Sequence, residues 1–159
     1  MHPNAQVLTA LFTALNHHDA DAMAACYDRD ATFHDIAFDL QGRDDIHRMW
    51  QMACAGDIKA TFDIAQADDI VGRVRLVDIY TFSETGRPVR NEIDSTFHFA
   101  GGLITSHHDE CDPVKWGQMA IGGFGGFLAG HVGPLRRFKA GRKLRRFVPA
   151  ADRARPQSA

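Results

Sequence analysis

Apolar residues in the first third of the chain recur at the spacing of amphipathic helices. A first stripe predicts a helix over residues 4–16, and its members are Val7, Leu8, Leu11, Phe12 and Leu15. Asp19 can cap a second helix, whose predicted apolar face is Met23, Cys26 and Tyr27. A third helix is predicted to open at residues 42–45, where two acids suit the helix dipole, and to end at Gly56.

The pattern then changes to alternation of apolar and polar positions. This alternation predicts four strands, over residues 59–67, 71–82, 90–99 and 103–111. A short strand over residues 31–34 precedes them, and residues 35–42 read as a loop. Three helices followed by a mainly antiparallel sheet predict an α+β fold. We expect a cone-shaped α+β barrel in which a curved sheet wraps the helices and leaves one open mouth.

The C-terminal part of the chain differs from this pattern. A helix is predicted from Asp112-Pro113 through Ile121, and a glycine-rich run and a basic tail follow it. We therefore predict an α+β barrel domain over residues 1–121 and a separate segment over residues 122–159. The glycine run lacks the Lys-Ser/Thr of a phosphate-binding loop, which favours close packing or a hinge.

Charge is unevenly placed along the chain. Residues 135–159 hold nine Lys or Arg and one acid, a net charge of +8, whereas residues 1–134 hold nine basic and nineteen acidic residues, a net charge of −10. The tail is predicted to dock on the acidic body or to remain solvated, and binding of nucleic acid or anionic lipid is the alternative. We expect no nucleic-acid partner and no membrane partner.

Composition and cysteine usage set the broad class. The 159 residues are 45% hydrophobic and 24% charged, as in an ordinary folded domain. The three cysteines, Cys26, Cys54 and Cys111, form no C-x-x-C pair, which favours a reducing compartment. The chain has no run of 18 apolar residues and no signal-peptide pattern at its start. We expect a cytoplasmic protein.

Four polar residues are predicted to converge inside the cone. Asp35 follows the first strand, Asp78 lies among apolar neighbours on its strand, and His107 and Asp109 share one strand face with Thr105. Buried carboxylates have raised pKa values and suit general acid or base catalysis. The alternative is that these are core polar groups with satisfied hydrogen bonds. No metal site and no cofactor are expected, since the metal-ligand spacings of zinc sites are missing.

Several short motifs of the chain resemble those of a known superfamily. The chain is similar to the nuclear transport factor 2-like proteins, which include SnoaL-type polyketide cyclases, ketosteroid isomerases and limonene epoxide hydrolases. The resemblance covers about residues 4–120 and is carried by Leu15-Asn16-x-x-Asp19, Tyr27-x-x-Asp30-Ala31-Thr32-Phe33-x-Asp35 and Gly42-Arg43-x-x-Ile46. The segment from His107 to Asp112 resembles a bacterial subgroup, mostly of unassigned activity.

The resemblance implies roles for particular residues. Asp35 falls where ketosteroid isomerases place their base, and Leu11 and Ser95 fall where they place oxyanion donors. Asp78 and Asp109 fall where limonene epoxide hydrolases place two aspartates, with Leu76 at the position of the arginine between them. His107 and Asp109 match the His and Asp of SnoaL-type cyclases. We expect these catalytic candidates to face a ligand pocket lined by Leu11, Tyr27, Trp50, Tyr80, Ser95 and Phe97.

Two functions follow from these expectations. The first is acid–base catalysis, of isomerase, cyclase or hydrolase type, on a small hydrophobic molecule, with Asp35 or Asp109 as the base. The second is a non-catalytic module of the same fold that binds a small ligand or acts as a dimeric interaction module. In both cases a homodimer is expected through the convex face of the sheet, where Glu92, Asp94, Thr96, His98 and His108 are predicted to lie.

Overall fold

The computed structural model describes residues 1–149 as an α+β fold, which confirms the predicted fold class. The helices are α1 Pro3–Asn16, α2 Ala20–Ala24, α3 Arg43–Cys54, α4 Pro113–Ala120, α5 Gly123–His131 and α6 Gly133–Arg146. The strands are β1 Tyr27–His34, β2 Asp39–Gln41, β3 Lys59–Ala67, β4 Val71–Phe82, β5 Arg87–Ala100 and β6 Leu103–Glu110. They form one six-stranded sheet in the order β2-β1-β6-β5-β4-β3.

The second helix is shorter than its apolar pattern predicts. The Asp19 side chain caps it by accepting a hydrogen bond from the Ala22 N–H, but the helix ends at Ala24. Cys26 and Tyr27 therefore do not lie on a helical face, and that part of the prediction is wrong. Tyr27 instead begins β1, because its backbone pairs with Ile104 on β6 and its side chain is fully buried there.

The loop predicted over residues 35–42 contains a strand. Asp39–Gln41 folds back on β1 as an antiparallel hairpin, with Phe33 opposite Leu40. Asp35 closes the turn between the strands, because its Oδ1 accepts hydrogen bonds from the backbone N–H groups of Ala37 and Phe38. β1 is also four residues longer than predicted at its start. Asp35 still lies directly after β1, as predicted.

The sheet is antiparallel except where β1 runs parallel to β6. A β-bulge interrupts the β5–β6 ladder, because Phe99 pairs with Ile104 while His98 pairs with Ser106, which leaves Thr105 unpaired. Ile104 and His107 therefore both face the core, and Thr105 does not share their face. The placement of Thr105 beside His107 was wrong for this reason.

The concave face of the sheet packs on α1 and α3. The contact between Phe33 and Trp50 is edge-to-face with 5.8 Å between ring centroids, and Phe12 packs on Phe62 at 5.1 Å. Each large apolar side chain buried in this way stabilises the fold by about 1.5–3 kcal/mol. Further members of the cluster are Leu8, Leu11, Leu15, Met23, Ile46, Met49, Val74, Leu76, Phe97 and Ile104.

The C-terminal helices pack on the barrel. α6 reaches from the β1–β2 turn, where Arg136 donates to the Ile36 carbonyl at 2.6 Å, to the β4–β5 turn, where Lys143 donates to Ser83 at 2.7 Å. Leu144 of α6 joins the main core. Residues 150–159, which complete the predicted C-terminal segment, lie outside the described residues. No helix in the described part of the chain is long and apolar enough to cross a membrane.

Candidate functional site

A chain of hydrogen bonds runs through the centre of the barrel. Trp50 Nε1 lies 3.3 Å from the Tyr27 hydroxyl oxygen, which lies 2.7 Å from His107 Nδ1. His107 Nε2 lies 2.8 Å from Asp109 Oδ1, and the Ser95 hydroxyl donates to the same oxygen over 2.5 Å. α3, β1, β6 and β5 each supply a member, so the site is assembled from elements far apart in sequence.

The directions of these hydrogen bonds can be assigned with a neutral imidazole. Trp50 can only donate, so the Tyr27 oxygen accepts from it and the Tyr27 O–H donates to His107 Nδ1. His107 then carries its proton on Nε2 and donates it to Asp109. Burial raises the pKa of the Tyr27 phenol well above its ordinary value, which keeps the hydroxyl proton in place. Every polar atom named in this series of hydrogen bonds is therefore paired.

His107 is enclosed by aromatic rings. Phe97 lies 4.2 Å and Phe33 4.8 Å from it between ring centroids, with Tyr27 and Trp50 at 6.1 and 6.3 Å. Its side chain is fully buried, and both ring nitrogens are engaged within the protein. The ring is thus held in one orientation and in turn holds Asp109, whose side chain keeps 11% of its surface exposed.

Asp35 is a partly buried carboxyl group at the end of β1. Burial is the largest influence and raises its pKa to about 6, against the two backbone N–H bonds from Phe38 and Ala37, which lower it. The charge of Asp109 raises the pKa further, and His107 would lower it only in its protonated form. Because both hydrogen bonds that Asp35 accepts within residues 1–149 go to Oδ1, Oδ2 is left to receive a proton.

Asp78 is a buried carboxyl group on β4. Burial, followed by the charge of Asp109, raises its pKa to about 8. Its Oδ1 is buried and has no hydrogen-bond partner among the described residues. The nearby Tyr80 hydroxyl accepts a hydrogen bond from Trp116 Nε1 at 2.8 Å, and burial raises the pKa of this phenol to about 12. An unpaired buried carboxyl group favours its neutral form or a ligand that supplies a partner.

The other predicted pocket residues lie in different surroundings. Leu11 is fully buried in the apolar core on α1, whereas Phe97 packs on His107. A groove of about 780 Å³ runs along β4, β5 and β6 to α4, and none of the predicted site residues lines it, although Leu76 and Asn91 on its lining are neighbours of Asp78 on the sheet. A second depression of about 510 Å³ lies beside α1 and includes none of the predicted site residues.

Sequence reasoning missed Arg136. Its guanidinium donates to the carbonyls of Ile36, Ala129 and Gly130, and its charge acts on Asp35 and Cys111. Burial lowers the pKa of Arg136 from its ordinary value. No signal in the sequence pairs residues 100 positions apart. Within residues 1–149 no cluster of three or more His, Cys, Asp or Glu side chains is placed to hold a metal ion.

Solved structures of other proteins share this fold. IdmH from Streptomyces antibioticus, provisionally described as a polyketide cyclase, is 25% identical with a TM-score of 0.60, over 72% of this chain and 96% of that chain. A protein with a ketosteroid isomerase-like fold from Catenulispora acidiphila, in complex with trimethylamine, is 18% identical with a TM-score of 0.63, over 72% and 91%. An LEH-like epoxide hydrolase of M. tuberculosis is 20% identical with a TM-score of 0.57, over 84% and 95%.

Family comparison agrees with the architecture. No curated protein matches the chain. A family model of the SnoaL-like domain matches residues 8–107. Because this match spans well over half of the 159 residues, the chain belongs to the SnoaL-like family.

Proposed function

We propose that this protein is an enzyme that performs acid–base chemistry on a small hydrophobic molecule held between the sheet and α3. The observation that carries the proposal is a pair of carboxyl groups, Asp35 partly buried and Asp78 buried, whose pKa values lie on either side of neutral pH, at about 6 and about 8. Environments that separate two carboxyl pKa values in this way are typical of a base paired with an acid.

The two carboxyl groups take different roles at neutral pH. Asp35 is mainly ionised and has one oxygen that accepts no hydrogen bond within residues 1–149, so it is the candidate base. Asp78 is mainly protonated and is the candidate proton donor. His107 is a positioning residue, because both of its nitrogens are engaged. Asp109, fixed by His107 and Ser95, is the second candidate for the base or for orienting a water molecule.

The aromatic side chains around the central hydrogen bonds support a hydrophobic substrate. Phe33, Trp50 and Phe97 surround the polar chain, and such walls favour a small molecule with one polarised group. The fold also occurs in proteins described as a polyketide cyclase and an LEH-like epoxide hydrolase. Proton abstraction beside a carbonyl and opening of an epoxide by water both need one base and one acid, and both reaction classes fit this pair.

The test combines titration with two chemical probes. Carboxyl resonances of Asp35 and Asp78 should titrate near pH 6 and pH 8 by ¹³C NMR. Ring opening of 5-nitrobenzisoxazole, a small apolar carbon acid, tests proton abstraction, and hydrolysis of styrene oxide tests epoxide opening. We expect activity to rise with pH through about 6, and Asp35→Asn to lower it by a factor of about 100 or more.

Matched variants separate the candidates. Asp109→Asn tests the second base, and Asp63→Asn, an exposed aspartate on β3, is the control. Ordinary titration of both Asp35 and Asp78 near pH 4 would overturn the proposal. Unchanged turnover in both Asp35→Asn and Asp109→Asn would remove these carboxylates from the chemistry.

The second candidate function is ligand binding without turnover. It is supported by the central hydrogen-bond chain, in which each of the five side chains is already paired within the protein. Under this function Asp78 would receive a hydrogen bond from the ligand, and Asp78→Ala would lower ligand affinity while Asp35→Asn would leave it unchanged. Calorimetric titration with candidate ligands separates this outcome from catalysis.

We also propose a homodimer through the convex face of the sheet. That face carries exposed charges of both signs on β4 and β5, with Arg75 directly opposite Asp94 and an ion pair between Arg90 and Glu92. A surface that carries charges of both signs can bind a copy of itself across a two-fold axis. Light scattering at micromolar concentration should give twice the chain mass, and a monomer would count against this assembly.

The cysteines support a reducing compartment, and we propose the cytoplasm. Cys26, Cys54 and Cys111 are free thiols. Disulfides are rare in reducing compartments, so free thiols agree with this location. Fractionation of cells that express the tagged protein tests the assignment.

A further inference from the structure

Helix α5 presents its apolar residues to solvent. Phe124, Phe127, Leu128 and His131 follow helical spacing on one face, and Phe124 and Leu128 are 75% and 45% exposed. The two phenylalanine rings stack at 6.4 Å between centroids. This orientation is the reverse of the usual one, in which the apolar face of a surface helix packs on the core.

Glycines explain the reversed orientation. The opposite face of α5 carries Gly126 and Gly130, which pack against the backbone of α4. A Cβ at Gly126 would lie 2.3 Å from the Gly117 carbonyl oxygen, and one at Gly130 would lie 2.6 Å from the Val114 Cα. Only the glycine face can approach α4 so closely. The phenylalanines are therefore held away from the barrel by the packing itself.

The exposed face of α6 is strongly basic. Its exposed side chains include Phe138, Lys139, Arg142, Arg145 and Arg146. Phe138 is 57% exposed, with the Arg142 guanidinium 5.8 Å from its ring centroid. Between residues 113 and 149 the chain has eight Lys or Arg and no Asp or Glu. No salt bridge joins these α6 cations to an acid within the described part of the chain.

We propose that α5 and α6 form a docking surface for an anionic phospholipid membrane. Exposed phenylalanine and leucine on α5, followed at once in the chain by the basic α6, match the two parts of such a membrane, an acyl boundary under a layer of negative headgroups. The cations attract the headgroups, and the aromatic face of α5 enters the boundary below them. The contact is peripheral, since no described helix is long enough to span.

The distribution of charge determines the orientation of the protein on the membrane. Residues 1–134 carry a net charge of −10 and are repelled by anionic lipid, whereas the basic C-terminal region is attracted. This charge pattern orients α6 toward the membrane. Nucleic acid is disfavoured as the partner because α5 carries no Lys or Arg beside its exposed phenylalanines, so its apolar face would remain exposed to solvent on a phosphate backbone. The sequence predicted no membrane partner and left anionic lipid only as the alternative for the basic tail, because it did not show which face of α5 is turned outward.

Vesicle binding tests the proposal on the full chain. Sedimentation is measured with vesicles of phosphatidylcholine alone and with added phosphatidylglycerol, at low and high salt. Binding is expected only with phosphatidylglycerol and is expected to weaken with salt. The double variant Phe124→Ser/Phe127→Ser and the double variant Arg142→Gln/Arg145→Gln should each lower binding by about tenfold or more. Because all four side chains are exposed, the fold is not at risk.

Matched controls lie on other surfaces. Ile70→Ser removes an exposed apolar side chain, 65% exposed, before β4, and Arg73→Gln removes an exposed cation on β4; neither should change vesicle binding. The proposal is overturned if the anionic vesicles bring down no protein, or if the controls lower binding as much as the α5 and α6 variants. It is also overturned if Phe124→Ser/Phe127→Ser turns a dimer into a monomer in sedimentation velocity, or if a short DNA duplex competes fully with the vesicles.

Discussion

The buried carboxyl group of Asp78 should make the stability of this protein depend on pH. Its pKa is about 8 in the folded protein, against about 3.9 in an unfolded chain. The folded state therefore holds the proton more tightly than the unfolded state does. The stability contributed by this group is fully present below about pH 4 and is lost as the pH rises through about 8.

Asp78→Asn removes this titration while keeping the size and polarity of the side chain. A rise in pKa from about 4 to about 8 corresponds to about 5 kcal/mol over that range. Small movements that admit water to the Asp78 carboxylate lower the free-energy cost of ionising it in the folded protein. We therefore expect the free energy of unfolding of the variant, minus that of the wild type, to increase by about 2–4 kcal/mol between about pH 5 and about pH 8.

Urea unfolding followed by tryptophan fluorescence measures this difference at each pH. Asp63→Asn, which replaces an exposed aspartate on β3, controls for the loss of one negative charge and should track the wild type. Parallel pH profiles for Asp78→Asn and the wild type would refute the reasoning, because they would mean that Asp78 ionises alike in the folded and unfolded states.

Three further predictions concern packing and the central hydrogen bonds. Tyr27→Phe leaves His107 Nδ1 and Trp50 Nε1 unpaired, so the free energy of unfolding measured in urea should fall by about 2–3 kcal/mol. A fall below about 0.5 kcal/mol would mean that the central hydrogen bonds are not formed. Gly126→Ala should lower the melting temperature, because its Cβ meets a carbonyl oxygen at 2.3 Å, whereas Gly125→Ala, at 3.7 Å from its nearest neighbour, should raise it. Deleting residues 135–159 should leave the barrel folded by circular dichroism but about 2 kcal/mol less stable, through loss of one buried leucine; an unfolded product would contradict this.

The parts of the site that the sequence predicted depend on local patterns. Asp35 after a short strand, and His107 and Asp109 two residues apart on one strand face, follow from alternation within a few residues. Asp78 was found because it is the polar member of an apolar strand face. The α1 stripe was confirmed for the same reason, since Leu8, Leu11, Phe12 and Leu15 are all buried.

The parts that the sequence did not predict depend on pairing between distant residues. A regular hairpin that closes at residues 100–103 would place Ser95 opposite His108, and only the bulge at Thr105 brings it opposite Asp109. The contact of Tyr27 with His107 spans 80 positions, and that of Arg136 with Ile36 spans 100. The local sequence predicted a helix end and a turn over residues 27–30. The structure makes them part of a strand because they lie beside β6, which is distant in sequence.

The bulge at Thr105 has a consequence for changes in chain length. Ile104, Ser106 and His107 occupy successive in, out and in positions once Thr105 is set aside, so removing this one residue would leave a regular ladder with the same side chains inside. Deleting Ser106 would have the same outcome, because Thr105 can take its outward position, whereas deleting His107 would place Ser106 in the inward position that His107 holds. Thr105 is therefore a place where relatives can gain or lose one residue, changing how strongly the sheet bends while keeping the same interior set of side chains.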